Sequence, residues 1–237
     1  VDLPLVPAAS ISFSAGVSIT AYIGITDKKL RVVGLVPLES DTPIALFTAQ
    51  GTVKRLMLNE LPPKPEFEII GLKAGDRVIG AFLAPDGSEI AAVSTDAQLL
   101  RFSAGLVRPQ GRPAGGMAGM KLGANAQVIF AAAIPEEVDA RVVTIADSSI
   151  TLPGTDVATA KVSDWSEFPP KGRATGGVRA QRFLKGEDQL ACAWIGVGEP
   201  RALAADGTVR KLPPELRRRD RPGATIDGAA AFVGSAP

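Results

Sequence analysis

The feature that most constrains this chain is a short motif that recurs along it. The clearest copies are Ala49–Arg55 and Ala205–Lys211, each a tight turn followed by a β-type run that ends in two basic residues. Weaker copies lie at Thr95–Phe102 and Ala146–Leu152, and the four copies are 46, 51 and 59 residues apart. The positions taken as equivalent are Gly51, Ala97, Ser148 and Gly207. Repeats with a period near 50 residues are typical of propeller-like arrays.

Each copy of the motif is accompanied by a second recurring segment, which is rich in glycine and contains a polar turn. The five copies of this segment lie at residues 15–36, 67–81, 115–129, 176–190 and 223–233. Each copy predicts two short strands around its turn. The repeating unit is therefore four antiparallel strands in about 50 residues, which is the size of a propeller blade.

The repeats predict one all-β domain over residues 1–237, a ring of about five four-stranded blades. The predicted repeats are about 1–38, 39–85, 86–134, 138–198 and 199–234. The first repeat lacks a clear first half unless residues 1–13 supply part of it, and in a closed ring the two ends share one blade. Helical turns are expected only at Asp164–Phe168 and at Pro213–Arg218.

The composition excludes several classes of function. The chain has no histidine, which excludes Ser-His-Asp and Cys-His catalysis and histidine metal sites. Its one cysteine, Cys192, lies in an apolar run and is expected to be a small buried hydrophobe. A single cysteine forms no internal disulfide, which suggests a reducing compartment. No apolar run reaches membrane-spanning length, no signal peptide is evident, and the start at Val1 suggests a fragment of a longer chain.

Most other polar motifs have a structural explanation. Carboxylates such as Asp206 precede turn residues, as expected of Asx turns, and Glu136 and Glu137 are expected in an exposed loop. The Gly-Gly pairs do not belong to a dinucleotide fingerprint or to a Walker motif. Trp165 and Trp194 are expected to pack between blades. We therefore predict no cofactor, no metal and no catalytic residue.

Basic residues are concentrated in the long connections between the second and third strands of the later repeats. The net charge is only +1, so the positions of the charges matter more than their sum. Glycine lets the backbone approach a surface closely, and arginine offers a forked donor to phosphate oxygens. Basic loops at one level of successive blades predict a stripe that follows a phosphate backbone, with backbone contact and bending rather than base reading. The alternative is that these side chains are only solvated surface.

The predicted phosphate contacts lie at the ends of the motif copies and in the connections. They are Lys54, Arg55, Arg101, Arg108, Arg112, Lys171, Arg173, Arg179, Arg210, Lys211, Arg217 and Arg218.

The repeats resemble the C-terminal domain of the A subunit of bacterial type IIA topoisomerases, the family of DNA gyrase and topoisomerase IV. The resemblance is carried by Gly51–Arg55, by the segment from Gly71 to Ile79, and by the basic Gly-rich loop Gly111–Gly116, and it extends over about residues 15–234. It implies a β-pinwheel, a propeller-like ring whose blades exchange strands with their neighbours. It also implies a bacterial, cytoplasmic, non-catalytic domain of an ATP-dependent enzyme, which binds duplex DNA on its outer edge and bends it. The implied partners are duplex DNA, the ATPase subunit, the rest of the A subunit, and no membrane.

One departure from the gyrase pattern concerns the hallmark box Gln-Arg-Arg-Gly-Gly-Arg/Lys-Gly. The matching span here, Ser10–Gly16, contains no basic residue, and the nearest likeness, Gln110–Gly116, lies in the third repeat. In this respect the chain is more similar to topoisomerase IV. Two other classes of function stay open: a propeller that binds proteins, whose mark is an exposed apolar patch, and a propeller enzyme.

Overall fold

A computed structural model describes residues 19–27, 30–37, 40–64, 66–150 and 158–235. Within these ranges the chain forms fifteen strands, one four-residue α-helix, α1 (Ile19–Tyr22), and three short 3₁₀ helices, Leu58–Glu60, Ala104–Leu106 and Trp165–Glu167. The strands are β1 Ile44–Thr48, β2 Thr52–Leu56, β3 Val78–Leu83, β4 Ser88–Ser94, β5 Gln98–Ser103, β6 Met117–Ala118, β7 Val128–Pro135, β8 Ala140–Asp147, β9 Thr159–Asp164, β10 Val178–Arg179, β11 Gln189–Val197, β12 Pro200–Leu203, β13 Val209–Arg210, β14 Ala224–Thr225 and β15 Phe232–Ser235. The predicted all-β class is confirmed.

Four antiparallel sheets follow one another along the described chain. Sheet 1 has the strand order β3-β1-β2-β6, sheet 2 has β10-β5-β4-β7, sheet 3 has β11-β8-β9-β14, and sheet 4 has β13-β12-β15. Each sheet is built on a hairpin formed by two strands that are consecutive in the sequence, such as β1 and β2. The repeated motif is the turn and second strand of this hairpin, which explains its regular recurrence.

Neighbouring sheets exchange a short strand. β6 follows the hairpin of sheet 2 in the sequence, but it pairs with β2 of sheet 1 through Thr52↔Ala118 and Val53↔Met117. In the same way β10 pairs with β5, and β14 pairs with β9. This is the strand exchange that the resemblance to a β-pinwheel implied.

The hydrophobic cores lie between successive sheets. Phe47 and Val53 of sheet 1 pack in one cluster with Ile90, Leu100 and Phe102 of sheet 2. Corresponding clusters join sheet 2 to sheet 3 and sheet 3 to sheet 4. Full burial of one such side chain contributes about 1.5–3 kcal/mol, so contacts between sheets stabilise the whole stack.

The last sheet exposes a face that the first sheet buries. Leu203 pairs with Val209 on one side and with Phe232 on the other, so the three side chains share one face. Val209 is 65% exposed and Phe232 is 61% exposed, whereas the corresponding residues of sheet 1, such as Phe47 and Val53, are fully buried. Sheet 4 therefore carries an exposed apolar row.

The third copy of the motif along the chain lies ten residues later than its sequence indicates. Ile145 pairs with Ala160 in the register that matches the corresponding pair of sheet 2. The equivalent position is therefore Ala158 and not Ser148, and the intervals become 46, 61 and 49 residues. The prediction was wrong because the hairpin connection of sheet 3 is longer than the others. Ile150 lies in this connection and is 90% exposed, and residues 151–157 lie outside the described ranges.

The first predicted blade has no strand among its described residues. Within 19–27 and 30–36 the only regular element is α1. Leu30 and Leu35 are 53% and 69% exposed, and Val36 packs against the cluster that contains Ile44 on the outer face of sheet 1. Residues 1–18, which include the span compared with the gyrase box, lie outside the described ranges. The described chain thus contains four sheets where about five blades were predicted.

The predictions for short local elements had mixed outcomes. The turn at Asp164–Phe168 is confirmed as a 3₁₀ helix, and the Asp164 carboxylate caps it by accepting a hydrogen bond from the Ser166 N–H at 2.9 Å. The turn predicted at Pro213–Arg218 is not helical, because Leu216 forms a parallel bridge with Val162 instead.

The prediction for the tryptophans is confirmed, and the cysteine is less buried than predicted. Trp165 and Trp194 are buried in the clusters between sheets. Cys192 is half-buried and packs against the last of these clusters. Among the residues that the structure describes, no helix is long and apolar enough to cross a membrane.

Candidate nucleic-acid interface

Three basic loops leave successive sheets at the same point. We name them L1 (108–116), L2 (170–177) and L3 (216–223). Each loop is anchored where it begins by a backbone N–H that donates to a carbonyl of the neighbouring sheet's second hairpin strand. The anchors are Gln110 to Arg55 at 2.8 Å, Lys171 to Arg101 at 2.9 Å and Arg217 to Val162 at 2.8 Å. The connections predicted to be equivalent are therefore equivalent in space.

One arginine occupies the same position in all three loops. Arg112, Arg173 and Arg219 each lie two residues beyond the anchor, and each loop then enters the exchanged strand β6, β10 or β14. Arg219 was not among the predicted contacts. The sequence contains a signal that identifies it, because Arg219 precedes Gly223 by the same four residues that separate Arg173 from Gly177.

The predicted contact residues differ widely in exposure. The exposed ones are Arg108, Lys171, Arg179, Lys211 and Arg218. The partly exposed ones are Arg101, Arg112, Arg173, Arg210 and Arg217. The buried ones are Lys54 and Arg55.

The prediction that Lys54 contacts phosphate is wrong. Its side chain on β2 is 0% exposed. Its ammonium donates to three carbonyl oxygens, those of Ile69 at 2.7 Å, Arg112 at 2.7 Å and Ala114 at 2.8 Å. An ammonium has three N–H donors, so these contacts occupy all of them. Lys54 holds the base of L1 rather than facing solvent.

Arg55 is likewise a structural residue and not a surface contact. It is 1% exposed. Its guanidinium donates to the carbonyls of Ala104 at 2.7 Å and Val107 at 3.1 Å, the first residue of the 3₁₀ helix of the next repeat and the residue that follows this helix. It also forms an ion pair with Asp86 at 2.6 Å. The prediction that Arg55 binds phosphate is therefore wrong as well.

Arg101 faces its own protein more than solvent. Its side chain is 13% exposed and pairs with Glu89 at 3.1 Å. The guanidinium carbon lies 4.4 Å from the centre of the Trp165 ring, a cation–π contact. Burial lowers the pKa of Arg101, and the Glu89 carboxylate opposes that shift. Arg101 therefore joins sheet 2 to the 3₁₀ helix Trp165–Glu167, which follows β9 of sheet 3.

Some basic side chains of the candidate interface fold back onto the backbone. Lys171 donates to the Gly177 carbonyl at 3.1 Å, and Arg173 donates to the Ala118 carbonyl. Arg210 donates to the Ala229 carbonyl at 3.2 Å. Because Lys171, Arg173 and Arg210 remain partly or fully exposed, these bonds orient them without removing them from the surface.

A second buried lysine lies outside the predicted set. Lys161 on β9 is 1% exposed, and its ammonium is surrounded by carbonyl oxygens at the base of L3. Burial lowers the pKa of Lys161 to about 7, and the nearby carboxylates of Asp220 and Glu167 oppose that shift. The misplaced third copy of the motif hid this residue, because the equivalence of Lys161 to Lys54 appears only when the motif is aligned on Ala158.

The three loops concentrate positive charge in a chain of nearly neutral total charge. Together they contain eight arginine or lysine residues and one carboxylate, Asp220, while the whole chain has a net charge of +1. The acidic residues Glu136 and Glu137 are exposed in the turn between β7 and β8, as predicted, away from the loop sequences. Among the described residues, no cluster of histidine, cysteine or carboxylate side chains could hold a metal ion. The arrangement is suited to polyanion binding rather than to metal chemistry.

Comparison with known proteins agrees with the repeated basic blades. The family described as DNA gyrase C-terminal domain, β-propeller, matches residues 43–64, 88–135 and 159–191. The topoisomerase subunit TopoM of Mycolicibacterium smegmatis is 30% identical over 192 residues, which cover 80% of this chain and 24% of that protein. The A subunit of DNA gyrase from Pseudomonas aeruginosa is 32% identical over 190 residues, which cover 77% of this chain and 19% of that protein.

The chain is a relative of the DNA gyrase A C-terminal domain. It spans less than a quarter of the length of these relatives. The third matched stretch begins at residue 159, which is the first residue of β9, in agreement with the corrected alignment of the motif.

Solved structures show the same fold as this gyrase-related chain. The C-terminal domain of DNA topoisomerase IV matches with a TM-score of 0.71 and 18% identity, over 84% of this chain and 63% of that chain. The DNA gyrase A C-terminal domain matches with a TM-score of 0.64 and 16% identity, over 83% of this chain and 66% of that chain. The β-pinwheel architecture is therefore confirmed.

Proposed function

We propose that this domain binds duplex DNA without sequence specificity along the edge that carries L1, L2 and L3, and that it bends the duplex. The observation that supports this most directly is the register of Arg112, Arg173 and Arg219, which places one arginine at the same position of three consecutive repeats. A cation at the equivalent position of each successive repeat presents repeated positive charge to a phosphate backbone. No helix is available to enter a groove in the described part of the chain, so the readout is of the backbone.

In this proposal the domain has no catalytic residue and no cofactor of its own. It presents a DNA segment to the cleavage core of a type IIA topoisomerase, and so tunes the preference of that enzyme between supercoiled and linked substrates. Its partners in the bacterial cytoplasm are the ATPase subunit, the remainder of the A subunit, and duplex DNA. The family relationship supports this assignment.

The test is duplex binding measured by fluorescence anisotropy over a salt series. Each phosphate contact contributes about −0.9 to the slope of log K against log salt concentration. If all eight basic residues of the loops bind phosphate, the slope reaches about −7. An absence of binding at low salt, or an affinity that does not depend on salt, contradicts the proposal.

A charge reversal locates the interface on the loops. The triple variant Arg112→Glu, Arg173→Glu, Arg219→Glu is expected to abolish measurable binding at physiological salt. The matched control is Lys64→Glu, Lys73→Glu, Lys185→Glu, which changes the net charge equally at three exposed positions outside the loops. Equal losses in both variants mean that only the net charge matters and that the loops are not the site.

Bending is tested separately from binding. Fluorophores on the two ends of a duplex of about 40 base pairs report the end-to-end distance by energy transfer. We expect the transfer to rise when the domain binds, because contact with successive loops requires the duplex to curve around the sheets. Tight binding without a change in transfer contradicts bending and leaves binding intact.

The second candidate function is a module that binds proteins, and one observation favours it. The exposed apolar row of sheet 4, formed by Leu203, Val209 and Phe232, is the kind of surface that function requires. The variant Val209→Ser, Phe232→Ser separates the two candidates. It is expected to leave duplex affinity unchanged if the loops alone bind DNA.

A further inference from the structure

The buried lysine beneath L1 contacts two segments that are remote from each other in the sequence. Lys54 donates to the carbonyl of Ile69, in the connection of its own repeat, and to the carbonyls of Arg112 and Ala114, in the loop of the next repeat. The acceptors lie 15, 58 and 60 positions away along the chain. One ammonium therefore joins the connection of one repeat to the basic loop of the next.

The buried lysine beneath L3 repeats this arrangement. Lys161 donates to the carbonyl of Ala180, in its own repeat, and to those of Arg219 at 2.5 Å and Arg218 and Arg221 at 3.3 Å, in the next. The strand register makes Lys161 equivalent to Lys54, and counting from the loop anchors makes Arg219 equivalent to Arg112. We call each set of backbone carbonyls around a buried ammonium a cage. The same cage occurs twice, around the equivalent lysines Lys54 and Lys161.

The cages determine which way the loop peptides face. In a trans peptide the carbonyl of one residue and the N–H of the next point in opposite directions, and the described chain has no cis peptide. Because the carbonyls of Arg218 and Arg219 point inward at Lys161, the N–H groups of Arg219 and Asp220 point outward. The N–H of Gly115 points outward from L1 for the same reason, since the Ala114 carbonyl faces Lys54. The outer rim of both loops therefore presents hydrogen-bond donors, which suit an anion.

L2 shows what happens without a lysine. The equivalent position on β5 is Leu100, which is buried in the core between sheets 1 and 2. L2 is held instead by a bond from the Ala174 N–H to the Gly119 carbonyl at 2.7 Å, and its own Arg173 donates to the Ala118 carbonyl. In L1 and L3, by contrast, no hydrogen bond of the Arg112 or Arg219 side chain occurs among the described residues.

We propose that Lys54 and Lys161 are positioning residues for phosphate binding, which turn the carbonyls of L1 and L3 inward so that the loop arginines and outward N–H groups face the DNA. Neither lysine touches the DNA. This inference rests on the proposed DNA binding and assigns to two buried residues a role in the affinity of a surface.

The test replaces each lysine by methionine, which keeps a linear apolar stem and removes the charge. We expect Lys161→Met to reduce the magnitude of the slope of log K against log salt concentration by about 0.9 to 1.8, the loss of one or two phosphate contacts. This equals about a 3.5- to 12-fold smaller change in affinity between 50 and 200 mM salt. The matched control is Leu100→Met, at the same position of the sheet without a cage, which is expected to bind as the wild type does.

A double-mutant cycle shows whether the lysine acts through its loop. In a variant with the four arginines of L3 changed to alanine, adding Lys161→Met is expected to have no further effect on affinity. An additive loss overturns the proposal, because the lysine then acts elsewhere. A folded Lys161→Met variant that binds as the wild type does also overturns it.

A measurement on the wild-type chain covers the case in which the variants do not fold. Amide hydrogen exchange is followed at Arg219 and Asp220 with and without a duplex of about 30 base pairs. We expect rapid exchange in the free protein and clear protection in the complex. Slow exchange in the free protein, or no protection on binding, overturns the inference. If the wild type binds no duplex at all, the proposed function fails, a result that differs from binding in which the lysines play no part.

Discussion

Replacing Arg55 by methionine separates its structural role from the phosphate contact that its sequence position predicts. Arg55 is 1% exposed and donates to the carbonyls of Ala104 and Val107, which belong to the next repeat. Methionine fills the space of the aliphatic stem but cannot donate, so the Val107 carbonyl loses its donor, while the Ala104 carbonyl keeps the bond from the Val107 N–H at 2.9 Å. The ion pair with Asp86 is lost as well, but the Asp86 side chain is 83% exposed and is rehydrated readily.

The magnitude follows from these contacts. A buried acceptor that loses its partner costs about 1–3 kcal/mol, and one that loses one of two donors costs less, about 1 kcal/mol, so the two carbonyls together give a loss of about 3 kcal/mol in the free energy of unfolding. For a chain of this length, 1 kcal/mol corresponds to about 2–4 °C in the melting temperature, so we expect a fall of about 6–12 °C. The control is Asp86→Asn, which removes only an exposed partner and is expected to cost less than about 1 kcal/mol.

The assay combines thermal unfolding with DNA binding. Circular dichroism gives the melting temperatures of the wild type, Arg55→Met and Asp86→Asn, and anisotropy gives the salt slope well below them. We expect a large fall in melting temperature for Arg55→Met and an unchanged salt slope. The reasoning is refuted if Arg55→Met melts with the wild type, or if its slope falls by about 0.9, the signature of a lost phosphate contact.

Three further predictions concern single residues. Burial lowers the pKa of Lys161 to about 7 from the usual 10.5, so between pH 7 and pH 10.5 the unfolded chain binds more protons than the folded chain. The free energy of unfolding of the wild type, relative to that of Lys161→Met, is therefore expected to rise with pH by up to about 1.4 kcal/mol per pH unit. Urea titrations at several pH values measure this. Gly177 has φ +76°, and an added Cβ would lie 2.3 Å from the Leu99 carbonyl oxygen, so Gly177→Ala is expected to lose about 1–3 kcal/mol. Gly172 has open space at its Cβ position, so Gly172→Ala is expected to melt within about 2 °C of the wild type. Burial raises the pKa of Cys192 to about 11, so iodoacetamide is expected to label the native protein at about pH 8 far more slowly than the urea-unfolded chain, and equal rates contradict this.

The repeat architecture could be predicted from the sequence because it depends on local signals. Turn residues such as Gly51 and the short β-type runs after them define the hairpins, and their spacing is independent of tertiary contacts. The connections that became L1, L2 and L3 could be aligned by their Gly-Gly ends or by the count of residues. The repeat prediction failed where a connection of different length intervened, between β8 and β9, and at residues 15–36, whose described part forms no strand.

The burial of the basic pair Lys54 and Arg55 could not be predicted from local sequence signals. Lysine and arginine are almost never fully buried without partners, so Lys54 and Arg55 are expected on the surface. Their partners lie 15 to 60 positions away along the chain, and they include backbone carbonyls, which have no sequence signature. Burial of these two charges depends on the strand exchange and loop packing of the folded chain.

Both residues of the basic pair bind backbone carbonyls of the next repeat, although their side chains point to opposite faces of the sheet. Neighbouring residues of a strand face opposite sides of a sheet, so Lys54 reaches the base of L1 while Arg55 reaches the 3₁₀ helix of the next repeat. In sheet 2 only the arginine is present. Leu100 occupies the position of the lysine, and Arg101, at the position of the arginine, stacks on Trp165. In sheet 3 only the lysine is present: Lys161 occupies its position, and Val162 occupies the position of the arginine.

These substitutions show that a sheet can be joined to its successor when only one of the two buried basic residues is present, alongside the apolar core and the exchanged strand. The buried charges therefore hold the repeats together and orient the loops, while the charge available to a polyanion comes from the loops themselves. A count of basic residues in the motif overstates the phosphate contacts at Lys54 and Arg55, and it misses Arg219, which lies in line with Arg112 and Arg173.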